Sequence, residues 1–183
     1  MQAIGDKLAA MTLRLYTFLL HHLPPTPAKF HYIFNLRDLG RVFEGILLAT
    51  PDHFDSPADF IRIWRNEVTR TFSDRLNDTQ DLDMVKNEIA SIIGEMCSAE
   101  NEFAMADPLV FGDFEFAVKR VVDYEEDPRL YHDLSGLGLA KVRKIFDDVL
   151  EERNLRPEMQ VMNLVLFPFA LEHITRIMRI ITR

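Results

Sequence analysis

Two arginines at the start of one amphipathic helix, Arg37 and Arg41, are the residues whose type and spacing best fit ligand chemistry. They lie four residues apart, which places both guanidinium groups on one side of a helix. Asn35 precedes them as a helix-capping residue, and Asp38 can complete a capping box with it. A cation in the first turn opposes the helix macrodipole, at a cost of a few tenths of a kcal/mol to about 1 kcal/mol. Two basic side chains beside free backbone N–H groups would nevertheless bind an anion such as phosphate.

The anion would have to be held elsewhere, because this sequence lacks the motifs of a nucleotide-binding site. The run Gly136-Leu137-Gly138 is not followed by the Gly-Lys-Ser/Thr of a phosphate loop. No apolar run ends in the paired acids that bind magnesium and activate water. His21 and His22 are adjacent and point in different directions on a helix, which is poor geometry for one metal ion. We therefore expect no catalytic residues, no metal site, no cofactor bound by the chain alone and no ATP hydrolysis by it alone.

Composition indicates an ordinary globular domain and excludes several classes of protein. The 183 residues are 48% hydrophobic, and a chain of this length can bury about two-thirds of its unfolded surface. The net charge of −8 argues against nucleic acid as a partner, since phosphate neutralisation needs a basic face. No apolar stretch approaches the roughly 20 residues that cross a bilayer, and the start lacks the features of a signal peptide. Cys97 is the only cysteine, which excludes a disulfide framework and favours a reducing compartment.

Four amphipathic helices with short connections are predicted in the first half, and they favour a compact bundle. Their apolar stripes are Ile4, Leu8, Met11, Leu15 and Leu19; Leu36, Leu39, Phe43 and Ile46 with Leu47; Phe60, Trp64, Val68, Phe72 and Leu76; and Leu82, Val85, Ile89, Ile92 with Ile93, and Met96. The expected limits are Pro24 for the end of the first helix, Asn35 and Thr50 for the second, Ser56 for the start of the third, and Asp81 and Cys97 for the fourth. Trp64 is expected in the core. Arg62, Arg65 and Arg70 are expected on a solvated or inter-subdomain face.

The second half is less regular. A helix is predicted from about Leu139 to Arg153. Residues 161–167 fit either a short buried strand or an extended loop, and periodicity alone does not separate the two. Pro168 suits the first turn of a final helix. The apolar stripe of that helix would be Ile174, Ile177 with Met178, and Ile181.

Four blocks along the chain resemble, in the same order, one segment of the dynein heavy chain family. They are residues 23–48, 63–67 with 74–76, 107–114, and 162–167 with 170–177. The resemblance is to the lid, or small helical subdomain, of the third AAA+ module of the motor ring, running into the start of the fourth module. The run Phe34-Asn35-Leu36-Arg37-Asp38-Leu39 is similar to the axonemal rather than the cytoplasmic type.

The resemblance implies a mostly α fold with two parts. Residues 1–102 would form an AAA+ lid-type helical bundle, and residues 103–183 a less regular helical connector that approaches the next module. It also implies that Arg37 is the sensor-two arginine, which reaches from the lid to the γ-phosphate held by the large subdomain of the same module. Arg41 would be a supporting cation or an intrahelical partner of Glu44. The alternative for Arg37 is a surface arginine bonded to Asp38 or Glu44.

The resemblance also assigns a role in the second half. Leu164, Val165, Leu166 and Phe167 would help to wall the adenine site of the fourth module. Their alternative is ordinary core packing. His173, Arg176 and Arg179 are expected along one side of the final helix near that site.

The function implied by the resemblance is that of a motor fragment. The lid would sense and transmit nucleotide state in an ATP-driven ring that powers microtubule-based movement, with ATP or ADP and magnesium in the parent motor. Its partners would be neighbouring AAA+ subdomains of the same heavy chain and, through the motor, microtubules. Its location would be the cytoskeleton of a ciliary or flagellar axoneme, with the cytoplasm as the alternative. A free-standing helical protein-interaction domain without a nucleotide role is the alternative function, and a phosphate loop shortly downstream would separate the two.

Overall fold

The computed structural model describes residues 2–49, 54–114 and 131–181. The mostly α fold is confirmed. The chain divides into two compact units, of which the first ends at Ala106 and the second begins at Asp107. Residues 103–106 therefore belong to the first unit, whereas the predicted limit at residue 102 assigns them to the second. None of the helices in the described ranges combines the length and hydrophobicity that a membrane-spanning helix needs.

The first unit contains the predicted helices and one more. They are α1 (Gln2–His22), α2 (Leu36–Ile46), α3 (Pro57–Phe72), a 3-10 turn (Ser73–Arg75), α4 (Thr79–Met96) and the additional α5 (Asn101–Met105). The predicted end of α2 near Thr50 is wrong, because the helix ends at Ile46. Its last turn tightens there, since Leu48 and Ala49 donate to the carbonyl groups three residues back rather than four.

The predicted apolar stripes form most of the core of the first unit, but the α2 stripe was partly wrong, because Leu36 and Leu47 are 74% and 81% exposed whereas Val42 is fully buried. Trp64 is fully buried, and its Nε1 donates to Thr12 Oγ1 at 2.9 Å, so the indole N–H is satisfied inside the core. Other fully buried members are Met11, Leu15, Leu19, Val42, Ile61, Val68, Phe72, Val85, Ile92 and Ile93. Burial of each such side chain contributes about 1.5–3 kcal/mol, and this packing holds the bundle together.

The arginines of α3 do not lie on the predicted solvated face. Arg62 and Arg65 are only 3% and 7% exposed. Their Nη1 atoms donate to backbone carbonyl oxygens within residues 103–106, at 2.7–3.1 Å. The Phe103 carbonyl also accepts from the N–H of Ala106, but the last carbonyls of a helix generally lack intrahelical partners, so the two arginines serve as the C-terminal cap of α5. Arg70 is enclosed as well, where its guanidinium group pairs with the fully buried Glu67 carboxylate.

The second unit combines a small sheet with two helices in its described residues. The antiparallel strands β1 (Phe111–Gly112) and β2 (His132–Asp133) are followed by a 3-10 turn (Ser135–Leu137), α6 (Leu139–Asn154) and α7 (Pro168–Ile181). Its buried apolar cluster is Val110, Phe114, Leu134 and Val142. α6 follows Gly138, whose φ of 77° lies in the left-handed region that favours glycine. The predicted α6 and α7 are confirmed, α6 to within one residue of its predicted end.

Two expectations for the second unit need correction. Residues 161–167 form neither helix nor strand, and Leu164, Val165 and Phe167 are 51%, 79% and 52% exposed. The extended-loop alternative is therefore correct, and only Leu166 in this segment is buried.

The second correction concerns α7, whose predicted apolar stripe is not the face that is buried. Ile177 and Ile181 are 51% and 74% exposed. The buried residues of α7 are Leu171, Thr175, Arg176 and Arg179. Helical periodicity identifies an apolar stripe, but which face is covered depends on what packs against the helix, and here α7 contacts β1.

Candidate functional site

The segment that leads into α2 is anchored by alternate aromatic side chains. Tyr32 and Phe34 are 1% and 7% exposed, whereas Phe30 and Ile33 are 73% and 59% exposed. The Phe34 ring lies edge-on to that of Phe72 on α3, with 6.0 Å between the centroids. The buried aromatic residues thus fix the point at which α2 begins against the bundle.

α2 begins with the predicted capping box. Asn35 Oδ1 accepts from the backbone N–H groups of Arg37 at 2.9 Å and Asp38 at 3.2 Å, and Asp38 Oδ2 accepts from the N–H of Asn35 at 3.0 Å. Such a cap contributes about 1 kcal/mol to helix stability. The same bonds correct one expectation, because the N–H groups of Arg37 and Asp38 already have an acceptor. An anion at this helix start would be bound by side chains.

Asp38 also joins α2 to the 3-10 turn that follows α3. Its carboxylate is 2% exposed and accepts from Arg75 through both oxygens, at 2.9 Å and 3.3 Å. Arg75 Nη1 also donates to Ile33 O at 2.8 Å, and its guanidinium group lies 5.3 Å from the centre of the Phe34 ring. A bidentate arginine–carboxylate pair is geometrically restrictive, so this contact sets the orientation of the first turn of α2.

Arg37 projects from that fixed turn into solvent. Its side chain is exposed, and within the described parts of the chain its guanidinium group has no bonding partner. The bond to Asp38 or Glu44 that the alternative interpretation requires is not formed. Leu36 beside it is 74% exposed. A cation held by a rigid turn, without an internal partner, is suited to a ligand or surface that approaches from outside.

Arg41 lies one turn further along α2 and is already engaged. Its Nη1 is 3.5 Å from Asp38 Oδ1, and its side chain remains 53% exposed. The expected partner, Glu44, is replaced by Asp38. Since this contact is long and exposed, it contributes little stability, and Arg41 can turn toward an external anion at small cost.

The candidate residues of the second unit divide into exposed and buried groups. Of the four apolar residues 164–167, three are half exposed or more, and so are accessible to a neighbour. Arg176 and Arg179 are each 7% exposed. Arg176 Nη2 lies 3.3 Å from His173 Nε2, and the Arg179 guanidinium group lies 3.6 Å from the centre of the Tyr131 ring. The two arginines therefore act in the packing of the second unit.

The chemistry that this arrangement supports is anion binding. Within the described residues, no group of three or more His, Cys, Asp or Glu side chains is placed to hold a metal ion. His22, one of the two adjacent histidines, is engaged through its Nδ1 with Phe18 O at 2.9 Å. The exposed arginine pair at the start of α2 thus remains the strongest candidate for a functional contact.

Sequence reasoning missed the network that supports this turn. Lys29 and Tyr32 contact Asp81 of α4, and Arg75 contacts Asp38. The sequence did indicate that Arg75 is of interest, because it lies in residues 74–76, one of the blocks that resemble a known family. The pairing itself joins residues 37–52 positions apart, which no local pattern predicts.

Comparison with known proteins matches residues 8–103 to the AAA+ lid domain family. The chain is 46% identical over 179 residues to dynein axonemal heavy chain 10 of Homo sapiens, covering 98% of this chain. It is 40% identical over 177 residues to the dynein-1-alpha heavy chain of the flagellar inner arm I1 complex of Chlamydomonas reinhardtii, covering 96% of this chain. In each case the match spans only 4% of the length of the relative.

Proposed function

Because the chain belongs to the AAA+ lid domain family and is a dynein heavy chain segment, we propose that it is the lid of the third AAA+ module, running into the fourth, and that it senses nucleotide through Arg37. The observation that carries this proposal is an exposed guanidinium group without an internal partner, on a turn fixed by a capping box and a bidentate ion pair. Similarity to heavy chains over 96–98% of the chain favours it over a free-standing interaction domain.

The role of Arg37 follows from the chemistry of guanidinium and phosphate. A guanidinium group donates two parallel hydrogen bonds to phosphate oxygens and keeps its charge at any physiological pH. When a nucleotide is bound by the large subdomain, this contact would draw the lid toward the γ-phosphate. Its loss after hydrolysis would release the lid, so the lid angle would report the nucleotide state. Arg41, which is held only by a long contact to Asp38, would add a second positive charge on the same side of α2.

In this proposal, the magnesium ion and the nucleotide are bound by other parts of the parent motor. The described residues fit the phosphate end of such a ligand through Arg37, but they offer no carboxylate cluster for the metal. Of the apolar residues 164–167, the exposed Leu164, Val165 and Phe167 would contact the base of a nucleotide in the fourth module, backed by the buried Leu166. Through the motor, the partners would be adjacent AAA+ subdomains and microtubules, in the axoneme of a cilium or flagellum.

A charge-removal experiment tests the role of Arg37. In the heavy chain that carries this segment, Arg37→Ala removes a charge-assisted contact worth about 1.5–3 kcal/mol, so affinity for nucleotide in the third module should fall about tenfold to a hundredfold. Gliding of microtubules should slow. Arg143→Ala is the matched control, since Arg143 is also an exposed helical arginine, with 53% of its side chain accessible, but lies in the second unit. Unchanged nucleotide affinity and gliding in Arg37→Ala would refute the proposal.

The isolated chain provides a second test. Arg37→Ala should leave its melting temperature within a few degrees of the wild type, because the side chain has no partner within the described residues and its charge opposes the helix dipole. Isothermal titration of the wild-type chain with Mg-ATP should give no binding at micromolar concentrations. Micromolar affinity, equivalent to about −8 kcal/mol, would mean that the chain binds a nucleotide by itself. That result would contradict the proposal that the large subdomain binds the nucleotide and the lid only senses it.

A further inference from the structure

A second polar cluster lies where the segment before α2 meets the start of α4. Asp81, in the first turn of α4, is 6% exposed and accepts from Lys29 Nζ at 2.5 Å and from the Tyr32 hydroxyl at 2.9 Å. Lys29 Nζ also donates to Asp78 Oδ2 at 2.9 Å. Asp78 in turn caps α4, since its Oδ1 accepts from the N–H of Gln80 at 3.0 Å. We call Lys29, Tyr32, Asp78 and Asp81 the Asp81 cluster.

The charges within the Asp81 cluster depend on one another. A carboxylate as enclosed as that of Asp81 is stable only when it is paired and hydrogen-bonded. Hydrogen bonds to Asp78 and Asp81 raise the pKa of Lys29 above its usual value, because they stabilise its ammonium group. The hydrogen bond from Lys29 lowers the pKa of Asp78. Among the described residues, Lys29 is thus the cation that pairs with both carboxylates at the start of α4.

The Asp81 cluster and the Arg75–Asp38 pair attach the same short segment at two places. Lys29 and Tyr32 of the segment bond Asp81, and Arg75 bonds Ile33 O of the segment and Asp38 in the first turn of α2. The residues on the other side of these bonds all lie within residues 75–81. This stretch forms the corner that joins the 3-10 turn to α4. Arg37 is therefore one residue from an anchor point on that corner, and its own side chain takes no part in the attachment.

We propose that the corner formed by residues 75–81 positions Arg37, and that Lys29 is a positioning residue that acts through this corner together with Arg75. The inference rests on the proposed function of Arg37. Because Arg37 is held in place before any phosphate arrives, binding does not have to order the turn. Coupling between two sites is reciprocal, so a phosphate contact at Arg37 would also be transmitted through this corner to α4.

The test compares two basic side chains, Lys29 and Arg14, each of which bridges two carboxylates at the start of or along α4. Lys29→Met in the heavy chain removes the cation between Asp78 and Asp81. Arg14→Met removes a similar bridge, from α1 to Glu88 and Glu95 on α4, and the two side chains are comparably exposed, at 30% for Lys29 and 36% for Arg14. Lys29→Met should weaken nucleotide binding to the third module by about twofold to tenfold. Arg14→Met should leave it unchanged, and Lys29→Arg should restore most of the lost affinity.

A double-mutant cycle with Arg37→Ala shows whether Lys29 acts through Arg37. If it does, Lys29→Met should have no further effect on nucleotide affinity in the Arg37→Ala background. Equal losses in both backgrounds would overturn the positioning role, and so would an unchanged affinity in Lys29→Met when Arg37→Ala alone weakens binding. No effect of Arg37→Ala would refute the proposed function and this inference with it.

A milder variant covers the case in which Lys29→Met does not fold. Tyr32→Phe keeps the buried ring and removes only the hydroxyl group that donates to Asp81. Circular dichroism and Trp64 fluorescence would establish that it is folded. It should weaken nucleotide binding in the same direction, by about twofold, and should lose that effect in the Arg37→Ala background. A folded Tyr32→Phe variant with full affinity would overturn the role of the cluster.

Discussion

Replacement of two glycines in α2 by alanine should change stability in opposite directions. Gly45 faces α3, where a Cβ atom would overlap the carboxylate of Glu67 and lie 2.9 Å from its Cγ. Glu67 cannot withdraw easily, because it is fully buried and paired with Arg70, whose side chain is 6% exposed. At Gly40, by contrast, a Cβ atom would meet nothing within 4 Å. Only the first substitution therefore disturbs packing.

The magnitudes follow from three effects. Alanine improves either helix position by about 0.5–1 kcal/mol relative to glycine. Forcing an extra methyl group into packed surroundings costs about 1–3 kcal/mol, and separating a buried ion pair costs about 3–5 kcal/mol. Gly45→Ala should thus lower the free energy of unfolding of the first unit by about 1–4 kcal/mol, depending on how far Glu67 must move from Arg70. Gly40→Ala should raise it by up to about 1 kcal/mol.

Urea denaturation followed by Trp64 fluorescence measures this difference, since Trp64 is the only tryptophan and is buried in the first unit. Melting temperatures should fall by at least about 4 °C for Gly45→Ala. Shortening the carboxylate with Glu67→Asp in the Gly45→Ala background should recover part of the loss. Gly45→Ala with wild-type stability would refute the reasoning, because α2 and α3 would then not require their close approach.

Three further predictions concern polar contacts of the first unit. Thr12→Val should lower the free energy of unfolding by about 1–3 kcal/mol, because it leaves the buried Nε1 of Trp64 without its acceptor, whereas Thr12→Ser should be close to wild type in urea denaturation. Arg62→Met should cost about 1.5–3 kcal/mol and increase hydrogen exchange in residues 101–106, whose carbonyls it caps; unchanged exchange there would contradict that role. The hydrogen bond from Arg14 lowers the pKa of Glu95 from 4.5 to about 2, so the unfolded state binds more protons between those values and stability falls as pH decreases through that window. Glu95→Gln should be less stable than wild type at pH 6 and equal to it near pH 2, and an equal difference at both values would exclude this contribution.

The features that sequence predicted well are those set by neighbours along the chain. The capping boxes at Asn35–Asp38 and Ser56–Asp59 were predictable because both partners lie within one turn. The stripe through Trp64, Val68 and Phe72 was predictable from helical spacing, although α3 is buried on more than this face, since residues 61–68 are all buried. What could not be predicted depends on distant contacts. Arg62 and Arg65 appear solvated in a local pattern, yet the carbonyl groups they cap lie 39–44 residues further along the chain.

The exposure of Arg37 also has a cause that local pattern could not supply. An ionised carboxylate offers about four acceptor positions. Asp38 Oδ1 accepts from Arg75 Nη2 and Arg41 Nη1, and Oδ2 accepts from Arg75 Nη1 and the N–H of Asn35, so all four are occupied. Arg37 therefore finds no acceptor on the carboxylate next to it in sequence. Asp38 is bonded instead to Arg75, 37 residues away, which leaves the guanidinium group of Arg37 exposed to any ligand that approaches from outside.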